Sequence, residues 1–418
     1  MNTVVRNTDA VPDKLERQFG GLVAGQAGVD DLSREVYCVL GMPIDTIDMP
    51  EVLNRIDHAA DTRATLFIST PNLNYLVHCY SDPEFRDALL LSDLCPADGM
   101  PIVWLGRLLG VPIKERVAGS DIFASLKGLR APERPLRVFL FGGDEGVAAA
   151  ASDALNGAQC GVVTVGWHFP GYLSVEELSQ ESVIHAINSV DMDFLVVCLG
   201  SKKGQLWLKR NFRNLRVPVC SHLGASLNFE AGILKRAPVL MQKLGLEWLW
   251  RIKEEPYLWR RYWHDGLILL GLMYSRILPI WIYRIKARNL SKGRLTIYDR
   301  KQDGYSKLDF VGAATSINIE KIIGALRTTL SDNRRIVIDL TSVSAVDARF
   351  LGLLLVFRKM VRSNSAEMVL TGVSSSIERI IRLSGADVLL APQEPQSDEA
   401  DSVADSPLAQ CLFASPTT

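Results

Sequence analysis

The sequence predicts an α/β protein in three parts. A parallel sheet covered on both faces comes first, a basic and apolar helical segment follows, and a second, smaller α/β unit ends the fold. Three observations carry this. From Val36 to about Asn228, apolar runs of strand length alternate with segments of helical period. Between Gly266 and Tyr283 lies a long apolar run with basic residues on both flanks. From about Arg294 the strand–helix alternation resumes. At 418 residues and 48% hydrophobic content, the chain can bury two or three cores.

Taken in order, residues 1–34 are polar without a clear period and are expected to form a flexible leader. The first apolar stretch begins near Tyr37, so no secretory signal is read and a cytosol-facing protein is expected. Strands are expected at 64–69, 137–142, 161–166, 193–199 and 217–222. Helices are expected at 48–60, 83–91, 120–128, 145–156, 175–189 and 203–214. Seven cysteines without close pairing, several inside apolar runs, read as buried thiols of a reducing compartment. The net charge of −1 hides a basic middle, thirteen Lys/Arg against four Asp/Glu from Lys202 to Arg261, and an acidic tail from Gln393.

Open α/β sheets bind ligands at the carboxyl ends of their strands. Thr70 and Asn72 follow the first such strand, and Asp98-Gly99 precedes an apolar helix-like run. Asp98 reads either as a turn residue capping that helix or as a carboxylate that takes a proton from a hydroxyl. Gly142-Gly143, after a strand, reads either as an ordinary βα turn or as a phosphate cradle; it lacks the dinucleotide fingerprint. Asp191-Met192-Asp193 imitates a metal-binding Asp-x-Asp but precedes its strand, away from the ligand edge.

The chain carries, in this order, Val39–Asp45, Thr70/Asn72, Ala97-Asp98-Gly99, Gly119-Ser120-Asp121, Val138–Gly143, Gly171-Tyr172, Arg236-Ala237-Pro238, Gly245–Trp248, Arg251 and Glu255-Pro256. Together these stretches resemble the WecG/TagA/CpsF family of bacterial glycosyltransferases. The resemblance covers about Tyr37 to Arg261. It implies a Rossmann-like sheet domain that moves a sugar from a UDP-sugar to a polyprenyl-diphosphate-linked acceptor in surface-polysaccharide synthesis, without metal or cofactor. It further implies Asp98 as base, and Thr70 and Asn72 lining the site. Gly119, Asp121, Gly142, Gly143, Lys203 and Gln205 would lie around the substrates. Arg236, Arg251, Arg260 and Arg261 would neutralise diphosphate charge. The family's Gly-x-Pro-Lys-Gln-Glu-x-Trp is altered: Lys202 replaces the proline, Gly204 the glutamine and Gln205 the glutamate. Asn228 stands where Asp is common. These departures keep open a second reading, a catalytically weakened membrane scaffold. A nicotinamide enzyme lacks the required glycines, and no nucleic-acid partner is expected.

Four tryptophans, Trp248, Trp250, Trp259 and Trp263, interleave with the basic residues before the apolar run 266–283. Arg276 and Pro279 interrupt that run, and Arg/Lys flank both ends. An interfacial or re-entrant helix is expected, ahead of a span or a buried interdomain helix. The last unit resembles the STAS domain through Ile336–Leu340, Val343–Asp347 and Leu351-Gly352-Leu353. That family's phosphorylatable serine is missing: Ala348 and Arg349 replace the two serines and Phe350 the glycine. A structural or partner-docking role is expected in place of a phospho-switch. The expected boundaries are 1–34, 35–261, 262–293, 294–391 and a disordered tail, 392–418.

Overall fold

The computed structural model describes residues 30–224, 226–302, 305–330 and 335–391. Most of the expected leader and the expected tail, with Cys411, lie outside the described residues.

The chain opens with a hairpin, β1 (Val36–Val39) and β2 (Met42–Asp45), turned by Leu40 and Gly41, both at positive φ. Five parallel strands follow: β3 (Leu66–Ile68), β4 (Leu136–Gly142), β5 (Val162–His168), β6 (Phe194–Cys198) and β7 (Val219–His222). Their order is β3-β7-β6-β4-β5. Side-chain alternation splits them between two cores. Leu66, Ile68, Val138, Leu140, Val196 and Val219 pack on one face with Ile56, Phe123 and Ala151. Phe67, Phe139, Phe141, Leu195, Val197 and Cys220 pack on the other with Trp207 and Leu208. Both faces of β3, β4, β6 and β7 are covered, so these strands read as apolar runs, while the edge strand β5 is partly exposed.

The apolar segment is one helix, Leu258–Lys286, containing a π turn at Met273–Ile277. Pro279 has no N–H for the carbonyl four residues earlier, and the π turn just before it lets the helix continue. Leu272, Ile277 and Ile280 join a core with Tyr75, Leu76, Ile102 and Val103. The other face leaves Trp263, Leu267, Leu270, Tyr274, Leu278, Trp281, Ile282 and Ile285 exposed. By length and composition this helix is sufficient to cross a membrane.

The last unit is a mixed sheet: β8 (Leu295–Gln302), β9 (Tyr305–Ala314), β10 (Arg335–Val346) and β11 (Glu367–Thr371), in the order β11-β10-β9-β8. Only the β8–β9 pair is antiparallel. Helix Ala348–Ser363 begins at Asp347, whose side chain accepts from Phe350 N at 2.9 Å and from Ser316 N at 2.7 Å. Of the residues that depart from the phospho-loop pattern, Ala348 and Arg349 face the first unit, while Phe350 lies in the last unit's own core. Arg349, 6% exposed, donates to Val36 O at 2.9 Å and Arg34 O at 3.0 Å and lies over the Tyr37 ring. A Cβ on Gly352 would stand 2.5 Å from Val36 O, so only glycine admits this approach. Leu32 and Cys38 enter the last unit's core beside Phe350 and Leu354.

This corrects the expected leader. Residues 30–34 are described and docked: Asp31–Ser33 is a short 3₁₀ turn, and Arg34 is 1% exposed, bonded to Asp31 and Asp45 at 2.8 Å each. Helix 175–189 is also two pieces, Val175–Leu178 and Glu181–Asn188, the first closed by a Ser174/Glu177 capping box.

Candidate functional site

The site is built at the carboxyl edge of the five-stranded sheet. Four helices start there: Leu73–Ser81, Met100–Leu108, Gly119–Leu126 and Ser201–Asn211. Asn72 caps the first, accepting from Tyr75 N at 3.2 Å. The other three have no side-chain cap, and their first-turn N–H groups suit anionic groups.

Asp98 sits on a segment that runs beside β3. Leu94 bridges Ile68, and Pro96 bridges Asp45. Asp98 N then donates to Pro71 O at 2.9 Å, which brings its carboxyl against the Asn72 amide. Gly99, at φ +83°, starts the next helix, so the cap role read for Asp98 belongs to Gly99. Burial pushes the Asp98 pKa up to about 7; Glu247 and Asp121 add to the rise, while Arg116 and Asn72 oppose it. Among the described residues it is the carboxylate whose ionisation is moved closest to neutral pH, where a general base works best.

Around Asp98 lies an ion-pair chain. Arg116 bonds Asp121 at 2.6 Å and also Glu247. Asp121 in turn takes Arg236 at 2.9 Å, and Arg236 donates to Ser120 O. The Asp121 carboxylate therefore holds two guanidinium groups, Arg116 and Arg236, beside Asp98. Arg236 and Arg251 both lie over the Phe229 ring, and Arg251 bonds Glu255 at 2.5 Å. Arg260 and Arg261 are exposed, over Trp259 and Tyr262 respectively, on the helix that carries the apolar face. The sequence reading assigns neither Arg116 nor Glu247 a role. Only the fold shows that residues 131 apart in sequence meet beside Asp98.

Thr70 is 5% exposed, and a Cβ on Gly119 would stand 3.2 Å from its hydroxyl. Gly119 is thus the space that lets the helix start against the strand end. Gly142 and Gly143 are close-approach positions. A Gly142 Cβ would meet Cys198 O at 2.7 Å, and Gly143 N donates to that same oxygen at 2.7 Å. The Gly143 N–H is already engaged, which favours the βα-turn reading over a phosphate cradle. Asp191 and Asp193 pair with Arg137 and Arg63 at the opposite edge of the sheet. No His/Cys/Asp/Glu group suited to a metal ion occurs among the described residues.

The reading of Gln205 is corrected. It is fully buried, donating to Ser69 Oγ at 2.6 Å and accepting from the Tyr75 hydroxyl at 3.5 Å. It belongs to the core network and does not face a donor. Lys203, two residues earlier in the first turn, is half-buried at the edge. Gly204 makes room for His222: a Cβ there would lie 2.2 Å from the imidazole. The Tyr75 hydroxyl holds His222 Nδ1 at 3.3 Å, and burial pushes this histidine down to about 4. The altered loop is therefore a packed arrangement. Gly204→Ala should cost about 1–3 kcal/mol, read as a lower urea midpoint at unchanged slope.

A family model described as "Glycosyl transferase WecG/TagA/CpsF family" matches residues 37–280, and a STAS domain model matches residues 297–400. The first match runs on through most of the apolar helix. Three curated relatives carry the name N-acetylglucosaminyldiphosphoundecaprenol N-acetyl-beta-D-mannosaminyltransferase. The protein of Bacillus spizizenii strain W23 is 27% identical over 52% of this chain and 85% of its own length. That of Bacillus subtilis strain 168 is 26% identical over 60% and 90%. That of Staphylococcus aureus strain MW2 is 26% identical over 59% and 91%.

Proposed function

The chain belongs to the WecG/TagA/CpsF family of glycosyl transferases, and on that premise we propose that it moves an N-acetylhexosamine from a UDP-sugar to a polyprenyl-diphosphate-linked acceptor. The observation that carries this is Asp98, held near neutral pKa at the sheet's carboxyl edge beside uncapped helix N-termini and an arginine-rich flank. Asp98 takes the proton of the acceptor hydroxyl as its oxygen attacks the anomeric carbon. The anomeric carbon–oxygen bond to the nucleotide breaks, and its electron pair leaves with UDP. Helix N-termini, Lys203, Arg236 and Arg251 offset the charge that develops on the diphosphate. Thr70 and Asn72 hold the base and the acceptor side of the pocket.

The relatives' names point to an N-acetylglucosaminyl-diphosphate lipid as the acceptor class and to N-acetylmannosamine as the first sugar to try. The product would enter a surface polysaccharide. The exposed tryptophans and aliphatics of helix 258–286 suit a lipid interface, with Arg260 and Arg261 at headgroup level. Its other face is held by protein: Asp265 by Asn74 at 3.4 Å, and Arg284 by Leu108 O at 2.7 Å. That one-sided packing supports a helix lying along a membrane surface.

The test incubates purified protein with radiolabelled UDP-sugars and polyprenyl-diphosphate-N-acetylglucosamine, and follows label into the lipid phase. Transfer from one donor supports the reading; no transfer from any donor overturns it. Arg260→Ala/Arg261→Ala should raise the acceptor KM or weaken flotation with anionic vesicles while the fold stays intact. Normal kinetics and normal flotation would remove these two arginines from the account.

A further inference from the structure

We propose that Lys359 of the C-terminal domain is a positioning residue for Asp98, so that this domain takes its own catalytic domain as partner and sets the geometry of the base. The inference rests on the reading of Asp98 given above.

Lys359 lies on helix Ala348–Ser363, with its side chain 12% exposed. Its ammonium reaches across the domain junction to Asp93 at 2.6 Å, Asp31 at 3.0 Å and Ser92 O at 3.4 Å. Arg34 donates to the same Ser92 oxygen at 3.0 Å and ties Asp31 to Asp45. Asp45 in turn accepts from Cys95 N at 2.6 Å. Asp93 also accepts from Phe67 N at 2.9 Å, at the sheet. The backbone from Ser92 to Cys95 is thus gripped from one side by two cations and three carboxylates, one of the cations supplied by the C-terminal domain. Asp98 is three residues further on, and no helix or strand intervenes.

Backbone bonds seat the segment 93–98: Asp93 N and Leu94 N donate to Phe67 O, Ser69 N donates to Leu94 O, and Asp98 N donates to Pro71 O. Lys359 and Arg34 add side-chain bonds at its start, on Ser92 and Asp93, and so bias how the whole segment sits against β3. Burial holds Lys359 back from ionising, but Asp93 and Asp31 outweigh that and keep it charged. The groups facing Asp98 itself are Arg116, Asp121, Glu247, Asn72 and Tyr75. Lys359 touches none of them and acts through the segment.

The experiment compares full-length wild type, Lys359→Met, Lys359→Arg and Asp387→Asn. Asp387 pairs with Arg86 at 3.2 Å, another bond across the same junction that leaves 92–98 untouched. Two readouts are taken: amide hydrogen exchange over 93–99 without substrate, and the pH profile of transfer. Lys359→Met should exchange faster over 93–99, lose about ten- to a hundredfold in kcat, and move its acid limb toward the ordinary carboxylate range. Lys359→Arg should restore both, and Asp387→Asn should leave both unchanged. Unchanged exchange in Lys359→Met, or an equal change in Asp387→Asn, would overturn the inference. Exchange is read without substrate, so failure of the wild type to transfer any sugar would count against the proposed function alone.

Discussion

Asp98→Asn is expected to lose about 10²–10⁴-fold in transfer, the range that removing a general base produces. The fold should not suffer. The ionised Asp98 carboxylate is disfavoured in the native state, since its pKa rises from 3.8 to about 7. The sign follows: its contribution to stability is full below the unfolded value and is lost as pH rises through the folded one. At pH 8 the wild type carries the whole penalty and the asparagine carries none. The variant's melting temperature should therefore equal or exceed that of the wild type at pH 8, and the gap should narrow toward pH 4. A variant that melts well below the wild type at pH 8 would mean that Asp98 serves the fold.

The second large effect concerns the domain junction. Arg34→Met should cost about 3–5 kcal/mol, because it strands Asp31 and Asp45 in a buried setting. The measurement is urea unfolding followed by far-UV circular dichroism and by tryptophan fluorescence. Both probes should shift together, since Leu32 and Cys38 lie in the core of the C-terminal domain and couple it to the hairpin. A loss under 1 kcal/mol would mean that the cluster is solvated. Lys359 shares this cluster, so the Arg34 and Lys359 variants should not add independently.

Much of this was legible in the residues. The five parallel strands follow from apolar runs at strand length, and each expected strand falls on an observed one within two residues at either end. The place of Asp98 before a helix-like run leaves a turn cap and a base both open, and the family resemblance is what points to the base. The hairpin at Val36–Asp45 was missed, because its strands are short and Pro43 lies in the second. Helix 73–81 was missed because Asn72 and Asn74 read as loop residues, although Asn72 is its cap. The long-range pairs were beyond the sequence altogether. Nothing in a local pattern ties Arg116 to Glu247, or Lys359 to Asp93, because such contacts are decided by how whole elements pack. Gln205 shows the same limit from the other side: a polar residue in a motif looked like a ligand contact, and the fold satisfies it internally.

The role of Asp98 is tested most directly by the pH dependence of kcat/KM for transfer by the wild type, from pH 5 to 9. A base held by burial at about 7 predicts a rate that falls tenfold per unit on the acid side, with its limb near 7. A flat profile, or a limb near 4, would contradict Asp98 as the base.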